Sequence, residues 1–391
     1  MKKVLIFTIS NGDAYNMVGR SIVNALVNRY PSVTFRMVDV SKGNKGINFQ
    51  LSEEETLSQK LAHRLERHRY IKCKDSSSIE KAKKTAEVYL KGIREFVKYN
   101  IKNFEPNVII ATHAFPAIIL SELRENHEEI VNNTILSYVE CNYVLSPYIK
   151  LATNLDYYFC PTDDSVKVCK KYGISSKHSI VPFGIPILAS IENITDKVEA
   201  RDMLNIPEDK FVILITNGES QSDHTLSLIK NIINKYDDVY IVCVCAKNVK
   251  LRSSLNKWIK SKKIKNVKVI GHTNNLGILL SACDCVMGKT IGVEVAESFA
   301  KGLPYISTLK IRGQELDNMK YLKSKNAILN GRTIPKAIAS LDNVRKNKKI
   351  KNTLLVQSGK LYKFNATDEL IKLLYHTKKA HRELDNVRII K

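Results

Sequence analysis

The sequence predicts an α/β protein of two doubly wound, Rossmann-like domains that face each other across a cleft. Short apolar runs alternate with amphipathic segments along the chain, and near-continuous apolar strands are typical of a parallel sheet covered by helices on both faces. The alternation stops in a polar stretch after residue 188 and restarts at residue 211. With 391 residues the chain is long enough for two such domains.

The elements of the first half follow from the period of the apolar residues. Apolar runs of strand length occur at 4–9, 33–40, 108–111, 135–139, 157–160 and 179–181. Residues 17–30 are predicted to be a helix, because their apolar residues Val18, Ile22, Ala25 and Leu26 fall on one side of it. Two long charged helices are predicted between residues 51 and 104, and a short one at 163–172.

The second half repeats this alternation. Strands are predicted at 211–216, 239–246, 267–270, 283–287, 305–307 and 327–329, and helices at 223–235, 251–260, 292–301 and 314–323. We therefore place one domain at residues 1–187, a second at 188–365, and at 366–391 a C-terminal helix that packs back on the first domain. Ligands of doubly wound domains bind beyond the carboxyl ends of the strands, so the cleft is the expected site.

The charge of the chain indicates an anionic partner. Lys and Arg number 62 and Asp and Glu 39, so the net charge is +23. Nucleic acid, anionic lipid and phosphorylated substrates would all fit this excess. A single Trp and an aromatic content of 7% argue against a stacking platform for nucleic acid, and no nucleic-acid module is recognisable. We expect no nucleic-acid partner.

The apolar runs and the cysteines indicate a cytoplasmic protein. Residues 4–9 are too short for the apolar part of a signal peptide, and no run reaches the ~18–20 residues of a transmembrane helix. None of the eight cysteines forms a C-x-x-C pair. Two C-x-C pairs, Cys243 with Cys245 and Cys283 with Cys285, lie in predicted strands that point both thiols to one face. We expect buried, reduced thiols and no metal site.

Small residues at three strand-to-helix turns are candidates for phosphate binding. Glycine lets the backbone approach a ligand closely, and a helix N-terminus favours anions. An ordinary tight turn is the alternative at each place. The turns contain Gly12 with Asp13, Gly218, and Lys289 with Thr290 and Gly292.

Three polar side chains in the predicted helices that follow have the chemistry to bind a sugar. A carboxylate at Glu297 can accept hydrogen bonds from a ribose diol, although an acidic side chain on a helix is more often solvated. Gln314 and Asn318 are four residues apart, so both amides lie on one side of a helix start. Such amide pairs are also common on helix surfaces.

Residues 57–69 combine apolar and basic side chains at helical spacing. A basic amphipathic helix fits an anionic membrane surface, and the alternative is a solvated helix whose leucines pack on the domain. The basic segment 345–351 has the same two interpretations. The residues expected to contact the membrane are Leu57, Leu61, Arg64, Leu65, Arg67 and Arg69.

Together these pieces resemble the glycosyltransferases of the GT-B fold, in the group of the bacterial processive diacylglycerol glucosyltransferases and the plant monogalactosyldiacylglycerol synthases. The peptidoglycan N-acetylglucosaminyltransferase MurG is a more distant relative. The resemblance extends over residues 3–329. It is carried by the first strand, turn and helix and by Gly184-Ile185-Pro186-Ile187, Val269-Ile270-Gly271-His272, Val295-Ala296-Glu297-Ser298 with Gly302-Leu303-Pro304, and Gly313-Gln314-Glu315 with Asn318.

The resemblance implies a metal-independent, inverting transfer of a hexose from a UDP-sugar to a hydroxyl group, with a diacylglycerol-type lipid as the expected acceptor and no resident cofactor. Such an enzyme of glycolipid synthesis would associate peripherally with the inner face of the cell membrane. Glu297 would hold the ribose, and Gly218 and Gly292 would approach the diphosphate. The remaining donor-site residues implied are Gly12, Lys289, Thr290, Gln314, Glu315 and Asn318.

Two departures from the family pattern concern catalysis. Ala14 and Tyr15 stand where the family has a Gly-His pair, and a tyrosine with an ordinary pKa near ~10 is a poor base. Ile291 stands where the diphosphate loop has glycine. The candidates for the base are, in order, Asp13, Glu140 and His113, and His113 has a helix cap as its alternative role.

Two other functions stay open at this point. One is a glycosyltransferase that uses a soluble acceptor. The other is a catalytically silent binding protein of the same fold, which the changes at Tyr15 and Ile291 motivate.

Overall fold

Two parallel sheets form the framework of the protein. The structure is a computed structural model that describes residues 2–10, 14–43, 68–75, 78–175, 179–216, 222–309 and 313–377. The first sheet has the order β2-β1-β3-β4-β5-β6. Its strands are β1 (Lys3–Thr8), β2 (Thr34–Asp39), β3 (Val108–Ala111), β4 (Ile135–Val139), β5 (Tyr157–Cys160) and β6 (Ser179–Pro182).

The second sheet has the order β12-β11-β10-β7-β8-β9. Its strands are β7 (Phe211–Thr216), β8 (Val239–Val244), β9 (Val267–Ile270), β10 (Cys285–Gly288), β11 (Tyr305–Ser307) and β12 (Ile328–Asn330). In each sheet the chain order reverses at one place, between β1 and β3 and between β7 and β10. Ligand crevices of doubly wound sheets open at such reversals. The predicted α/β class and its two parallel sheets are confirmed.

Helices connect the strands on both faces of each sheet. Among the described residues the α-helices are α1 (Ala14–Arg29), α2 (Ile79–Phe104), α3 (Ala114–Glu125), α4 (Asp163–Lys171), α5 (Ala189–Glu192), α6 (Lys197–Met203), α7 (Ser222–Lys235), α8 (Val249–Lys262), α9 (Leu276–Ala282), α10 (Gly292–Ala300), α11 (Gln314–Ser324), α12 (Ile334–Lys346), α13 (Lys348–Leu361) and α14 (Ala366–His376). Residues 68–75 are also helical. In the part of the chain that is described, no helix is both long and apolar enough to cross a bilayer.

Six of these helices were not expected from the sequence. In α3 nearly every residue is buried, so the polar side that would reveal a helical period is missing. The other five are α5, α6, α9, α12 and α13. The basic segment 345–351 spans the junction of α12 and α13, and two of its cations are paired, Arg345 with Asp238 and Lys346 with Asp342.

One apolar cluster joins the two halves of the chain. It contains Val4 and Ile6 of β1 together with Val212 and Leu214 of β7. The last described helix, α14, lies against α1, where the rings of Tyr30 and Tyr375 stack with their centroids 4.2 Å apart. The limits of the predicted domains stay a prediction.

All eight cysteines are buried and free, as expected. Cys243 and Cys245 lie in one apolar cluster with their sulfur atoms 3.9 Å apart. The expectation that Cys283 and Cys285 share a face is wrong, because they lie in different clusters. Cys283 is the C-cap of α9 and precedes β10, so the alternation of a strand does not apply to it.

Candidate active site

The carboxyl edges of the two sheets meet at Gly292, the first residue of α10. Its N–H donates a hydrogen bond to Asn142 Oδ1 at 3.4 Å, and Asn142 lies just beyond β4 in the first sheet. A Cβ atom at position 292 would lie 2.2 Å from the carbonyl oxygen of Cys141 and 2.6 Å from the Cα of Asn142. Only glycine therefore permits this approach of the two backbones.

The two predicted amides of α11 lie on one side of the helix and face this junction. Asn318 is fully buried; its Nδ2 donates to Asn142 Oδ1 at 2.8 Å, and its Oδ1 accepts from the N–H of Val144 at 2.9 Å. Gln314 Nε2 donates to the carbonyl oxygen of Val144 at 2.7 Å. Both amides thus bind the loop after β4 of the first sheet.

Glu140 is a buried carboxyl group at the centre of that loop. Its Oε2 accepts hydrogen bonds from Tyr138 Oη at 2.7 Å and from the N–H of Ser146 at 2.9 Å. Its Oε1 accepts from the N–H of Asn142 at 3.0 Å and from Gln314 Nε2 at 3.2 Å. Burial raises the pKa of Glu140 to about 7, against the lowering effect of these donors. Asn142 Nδ2 also donates to Oε1, at 3.4 Å. Because each oxygen already accepts at least two hydrogen bonds, this arrangement leaves Glu140 little capacity to take a substrate proton.

His113 is the N-cap of α3, which is the alternative that the sequence left open. Its Nδ1 accepts a hydrogen bond from the N–H of Phe115 at 3.1 Å, so the proton of the neutral ring is on Nε2. Burial lowers the pKa of His113 to about 3. A ring with its acceptor nitrogen occupied and its pKa this low is a poor base. The ring of Tyr15, in the first turn of α1, packs edge-on against it at 4.6 Å.

Glu297 of α10 is buried, contrary to the alternative of a solvated carboxylate. The residue is 3% exposed, and burial, with a smaller contribution from the charge of Glu294, raises its pKa to about 8. No hydrogen bond or ion pair joins its carboxyl to another residue of the described segments. A buried carboxyl group without a protein donor suits a ligand that brings its own hydroxyl donors.

The remaining predicted donor-site residues lie around the N-terminus of α10. Lys289 Nζ forms an ion pair with Glu315 Oε1 at 2.7 Å, and both side chains are half-buried. Thr290 is buried, and its Oγ1 lies 2.6 Å from the Oγ of Ser307. The structure thus brings Lys289, Thr290, Gly292, Gln314, Glu315 and Asn318 together, and their role in binding a donor stays a prediction.

Several predicted residues lie outside the described residues: Gly12, Asp13 and Gly218 of the turns, and Leu57, Leu61, Arg64, Leu65 and Arg67 of the membrane segment. Arg69 is described. Its guanidinium lies 5.5 Å from the ring centroid of Tyr89 in α2, so part of this side chain packs on the domain.

A second contact between the halves was not expected from the sequence. Tyr70 Oη and Lys74 Nζ, in the helical residues 68–75, donate hydrogen bonds to Asp317 Oδ2 of α11 at 2.9 and 2.8 Å. Burial and the charge of Asp317 raise the pKa of Tyr70. The role of Asn142 was not expected either; its one signal in the sequence is its place directly after a predicted strand.

Comparison with known proteins shows which proteins this chain is similar to. Residues 18–187 match the family model described as monogalactosyldiacylglycerol (MGDG) synthase. The processive diacylglycerol β-glucosyltransferase of Bacillus licheniformis is 25% identical over 248 residues, 63% of this chain and 62% of that protein. The enzyme of the same name from Staphylococcus haemolyticus is 28% identical over 236 residues, 60% of this chain and 58% of that protein. The aligned segments thus span about three fifths of these relatives.

Solved structures show the same fold at low sequence identity. MurG of Acinetobacter baumannii has a TM-score of 0.60 at 12% identity, covering 96% of this chain and 100% of that one. The UDP-GlcNAc 2-epimerase of Neisseria meningitidis, bound to UDP-GlcNAc, has a TM-score of 0.61 at 13% identity, with the same coverage of 96% and 100%. The chain has the GT-B fold, which MurG shares, and its sequence is similar to the processive diacylglycerol glucosyltransferases and, over residues 18–187, to the monogalactosyldiacylglycerol synthases.

Proposed function

We propose that this protein is a metal-independent, inverting glycosyltransferase that transfers a hexose from a UDP-sugar to a hydroxyl of a diacylglycerol-type lipid. The observation that carries the proposal is the buried carboxyl of Glu297, which has no hydrogen-bond donor among the described residues and lies in the helix that begins at the junction of the two sheets. The names of the similar proteins support the substrate classes.

In this proposal Glu297 accepts hydrogen bonds from the ribose hydroxyls of the donor. Burial raises the pKa of Glu297 to about 8, which keeps the carboxyl largely protonated at neutral pH. Hydroxyl donors favour the ionised form, so binding of the nucleotide would release a proton from Glu297. The positive end of α10 and Lys289 would offset the charge that develops on the leaving diphosphate. Since Lys289 is paired with Glu315, the diphosphate would share or replace that ion pair.

We propose Asp13 as the base that deprotonates the acceptor hydroxyl. The other two candidates have their acceptor atoms occupied. Both carboxyl oxygens of Glu140 accept hydrogen bonds, and Nδ1 of His113 accepts one as the N-cap of α3. Asp13 follows β1 in the sequence, and β1 borders the reversal of strand order at which crevices open. Tyr15 would then line the acceptor side of the cleft.

The test is release of UDP from UDP-glucose and UDP-galactose in the presence of diacylglycerol. We expect acceptor-dependent release and formation of a glycolipid. Asp13→Asn should reduce turnover by ~100-fold or more, the usual contribution of general base catalysis. The control is Asp209→Asn at an exposed position of the second half, which should leave turnover unchanged. Transfer to a water-soluble alcohol but not to diacylglycerol would contradict the lipid acceptor and indicate that the enzyme uses a soluble one.

A catalytically silent binding protein is the second candidate. The observation that favours it is the occupation of Gly292, Gln314 and Asn318 by the loop after β4. Such a protein would release no UDP from any sugar nucleotide, whatever the acceptor, although it is folded. Thermal stability with UDP separates the two cases further, since a ligand at 100 times its Kd stabilises by about 2.7 kcal/mol. An increase in thermal stability with UDP, without any release of UDP from sugar nucleotides, would favour a binding protein.

A further inference from the structure

Part of the positive charge of this chain lies in a long stretch of the second half that has no acidic residue. Residues 239–283 contain nine Lys and Arg and no Asp or Glu. The centre of this stretch is α8, which follows β8 and precedes β9, the edge strand of the second sheet. A helix that covers a sheet needs an apolar side, but it does not need an outer side without acidic residues, so the fold does not explain this run.

Eight of the nine cations, those between residues 247 and 265, are exposed, and none of them forms an ion pair with another described residue. The acidic residues that flank the stretch, Asp238 and Asp284, pair with cations outside it. The ninth cation, Lys268, is half-buried and donates a hydrogen bond to the carbonyl oxygen of Leu204. The long helix α2 of the first half differs, because three of its seven cations form ion pairs: Lys84 with Glu80 at 3.1 Å, Arg94 with Glu87 at 2.9 Å and Lys98 with Glu128 at 2.6 Å. The charges of α2 are thus partly compensated within the protein, whereas the cations of α8 have no ion pair among the described residues.

Helix electrostatics do not account for the cations at the start of α8. Lys260 and Lys262 in the last turn interact favourably with the negative end of the helix. Lys250 lies in the first turn, which contains no acidic residue, and Lys247 lies just before it. Cations at that end interact unfavourably with the helix dipole. Their presence there is better explained by an anionic partner outside the chain.

The outward side of α8 forms a continuous surface. Leu251 and Leu255 are fully buried on the core of the second sheet. Lys250, Lys257 and Lys260 fall on the opposite side at helical spacing, and Val249 beside them is 66% exposed. The helix begins at the carboxyl end of β8, the same edge of the sheet that contacts the first half at Gly292. The surface therefore starts at the rim of the cleft.

We propose that this α8 surface, made of Lys247, Val249, Lys250, Lys257 and Lys260, binds the anionic headgroups of a lipid bilayer. Several basic residues near such a bilayer add their contributions to binding, and the exposed Val249 suits the headgroup boundary better than a nucleic-acid backbone. The nearby Trp258 is half-buried, with Lys230 over its ring, so it is not free to stack on bases. The choice of a membrane rests on the proposed lipid acceptor.

The test measures binding of the full chain to sedimented vesicles of phosphatidylcholine, with and without phosphatidylglycerol. The variant is Lys250→Gln, Lys257→Gln and Lys260→Gln together. Its matched control is Lys83→Gln, Lys91→Gln and Lys102→Gln on α2, which removes the same charge at exposed positions. We expect the α8 variant to weaken binding to phosphatidylglycerol vesicles by roughly tenfold or more and the control to weaken it much less. Both should keep the thermal stability of the wild type.

Three results would overturn the proposal: equal weakening by both variants, no weakening by the α8 variant, or a loss of duplex DNA binding by that variant while vesicle binding persists. None of these measurements requires turnover. Vesicle binding that depends on α8 in a protein that releases no UDP would refute the proposed function alone. Normal turnover with binding that does not depend on α8 would refute this inference alone.

Discussion

At the scale of single residues, burial rather than neighbouring charge controls the acids at the junction. Burial is the largest influence on both Glu140 and Glu297 and raises their pKa values to about 7 and about 8. Glu140 is surrounded by donors from its own loop and from Gln314. Glu297 has no such donors among the described residues. The two acids therefore differ in their surroundings: Glu140 organises the loop after β4, and Glu297 has the open hydrogen-bonding capacity on which the proposed ribose contact rests.

The raised pKa of Glu297 predicts that Glu297→Gln flattens the pH dependence of stability. The unfolded chain releases this proton near the ordinary value of ~4.3, and the folded protein releases it near 8. The folded state binds the proton more tightly, so this stabilising contribution is complete below the unfolded pKa and is lost as the pH rises through about 8. Glutamine stays neutral, so the variant should gain at least about 1 kcal/mol relative to the wild type between about pH 5 and pH 9.

The measurement is urea denaturation of the wild type and the variant across that pH range. Glu199→Gln, at an exposed position in α6, is the control and should leave the slope of the wild type unchanged. An unchanged slope in Glu297→Gln would show that the Glu297 carboxyl is ionised in the folded protein at neutral pH. The residual slope in the variant should come in part from Glu140, whose pKa is raised in the same direction.

At the scale of elements, the last described helix, α14, packs against residues near the start of the chain. Lys2 Nζ donates to the carbonyl oxygens of Leu374 at 3.2 Å and Thr377 at 2.9 Å near the C-terminus of α14. Arg29 at the end of α1 pairs with Asp368 at 2.5 Å. A cation at a helix C-terminus stabilises the helix. The helix thus ties the end of the described chain to the first sheet.

Leu370→Ala should destabilise the protein by about 2–4 kcal/mol, although position 370 is far in sequence from the site residues. Leu370 is fully buried, and its truncation would lose apolar burial and leave a cavity. The control is Lys372→Ala on the exposed side of the same helix, where the change should be near zero. Urea denaturation measures both values, and UDP release at low temperature should be the same in both variants. Equal stabilities would contradict the packing of α14.

At the scale of the whole molecule, the two halves are held together by polar contacts on both sides of α11. Asp317 binds Tyr70 and Lys74 of one segment of the first half, and Asn318 binds the loop after β4. The helix that carries the predicted sugar-binding amides therefore contacts the first half at two places. Placement of a donor sugar would depend on closure of the two halves.

Gly292→Ala should prevent this closure. The added methyl would lie 2.2 Å from a backbone oxygen of the loop after β4, so the backbones must separate at a cost of about 1–3 kcal/mol. We expect a larger radius of gyration in X-ray scattering and reduced UDP release. The control is Gly359→Ala in α13, where a Cβ meets no atom within 4 Å; it should be neutral or stabilise the helix slightly. Unchanged scattering and turnover in Gly292→Ala would show that the contact does not hold the halves together.

The sequence by itself determined the elements and the class of the fold. Strands β3, β4 and β5 begin and end where their apolar runs do, because a strand in a parallel sheet is buried on both faces and leaves a run that local spacing reveals. The same local periodicity places Gln314 and Asn318 on one side of α11. The limit of this information appears at α3, whose burial on all sides removes the period.

The tertiary structure decided what each polar side chain does. Asn142 and Asn318 meet across 176 positions of the chain, and Glu140 and Gln314 across 174, so no local spacing reports these contacts. The side chain of Glu297 gives no sign that it is buried, and that of His113 does not show which of its nitrogen atoms is occupied. Burial and hydrogen-bond partners depend on how the edges of two separate sheets pack together, and this packing is a property of the whole chain.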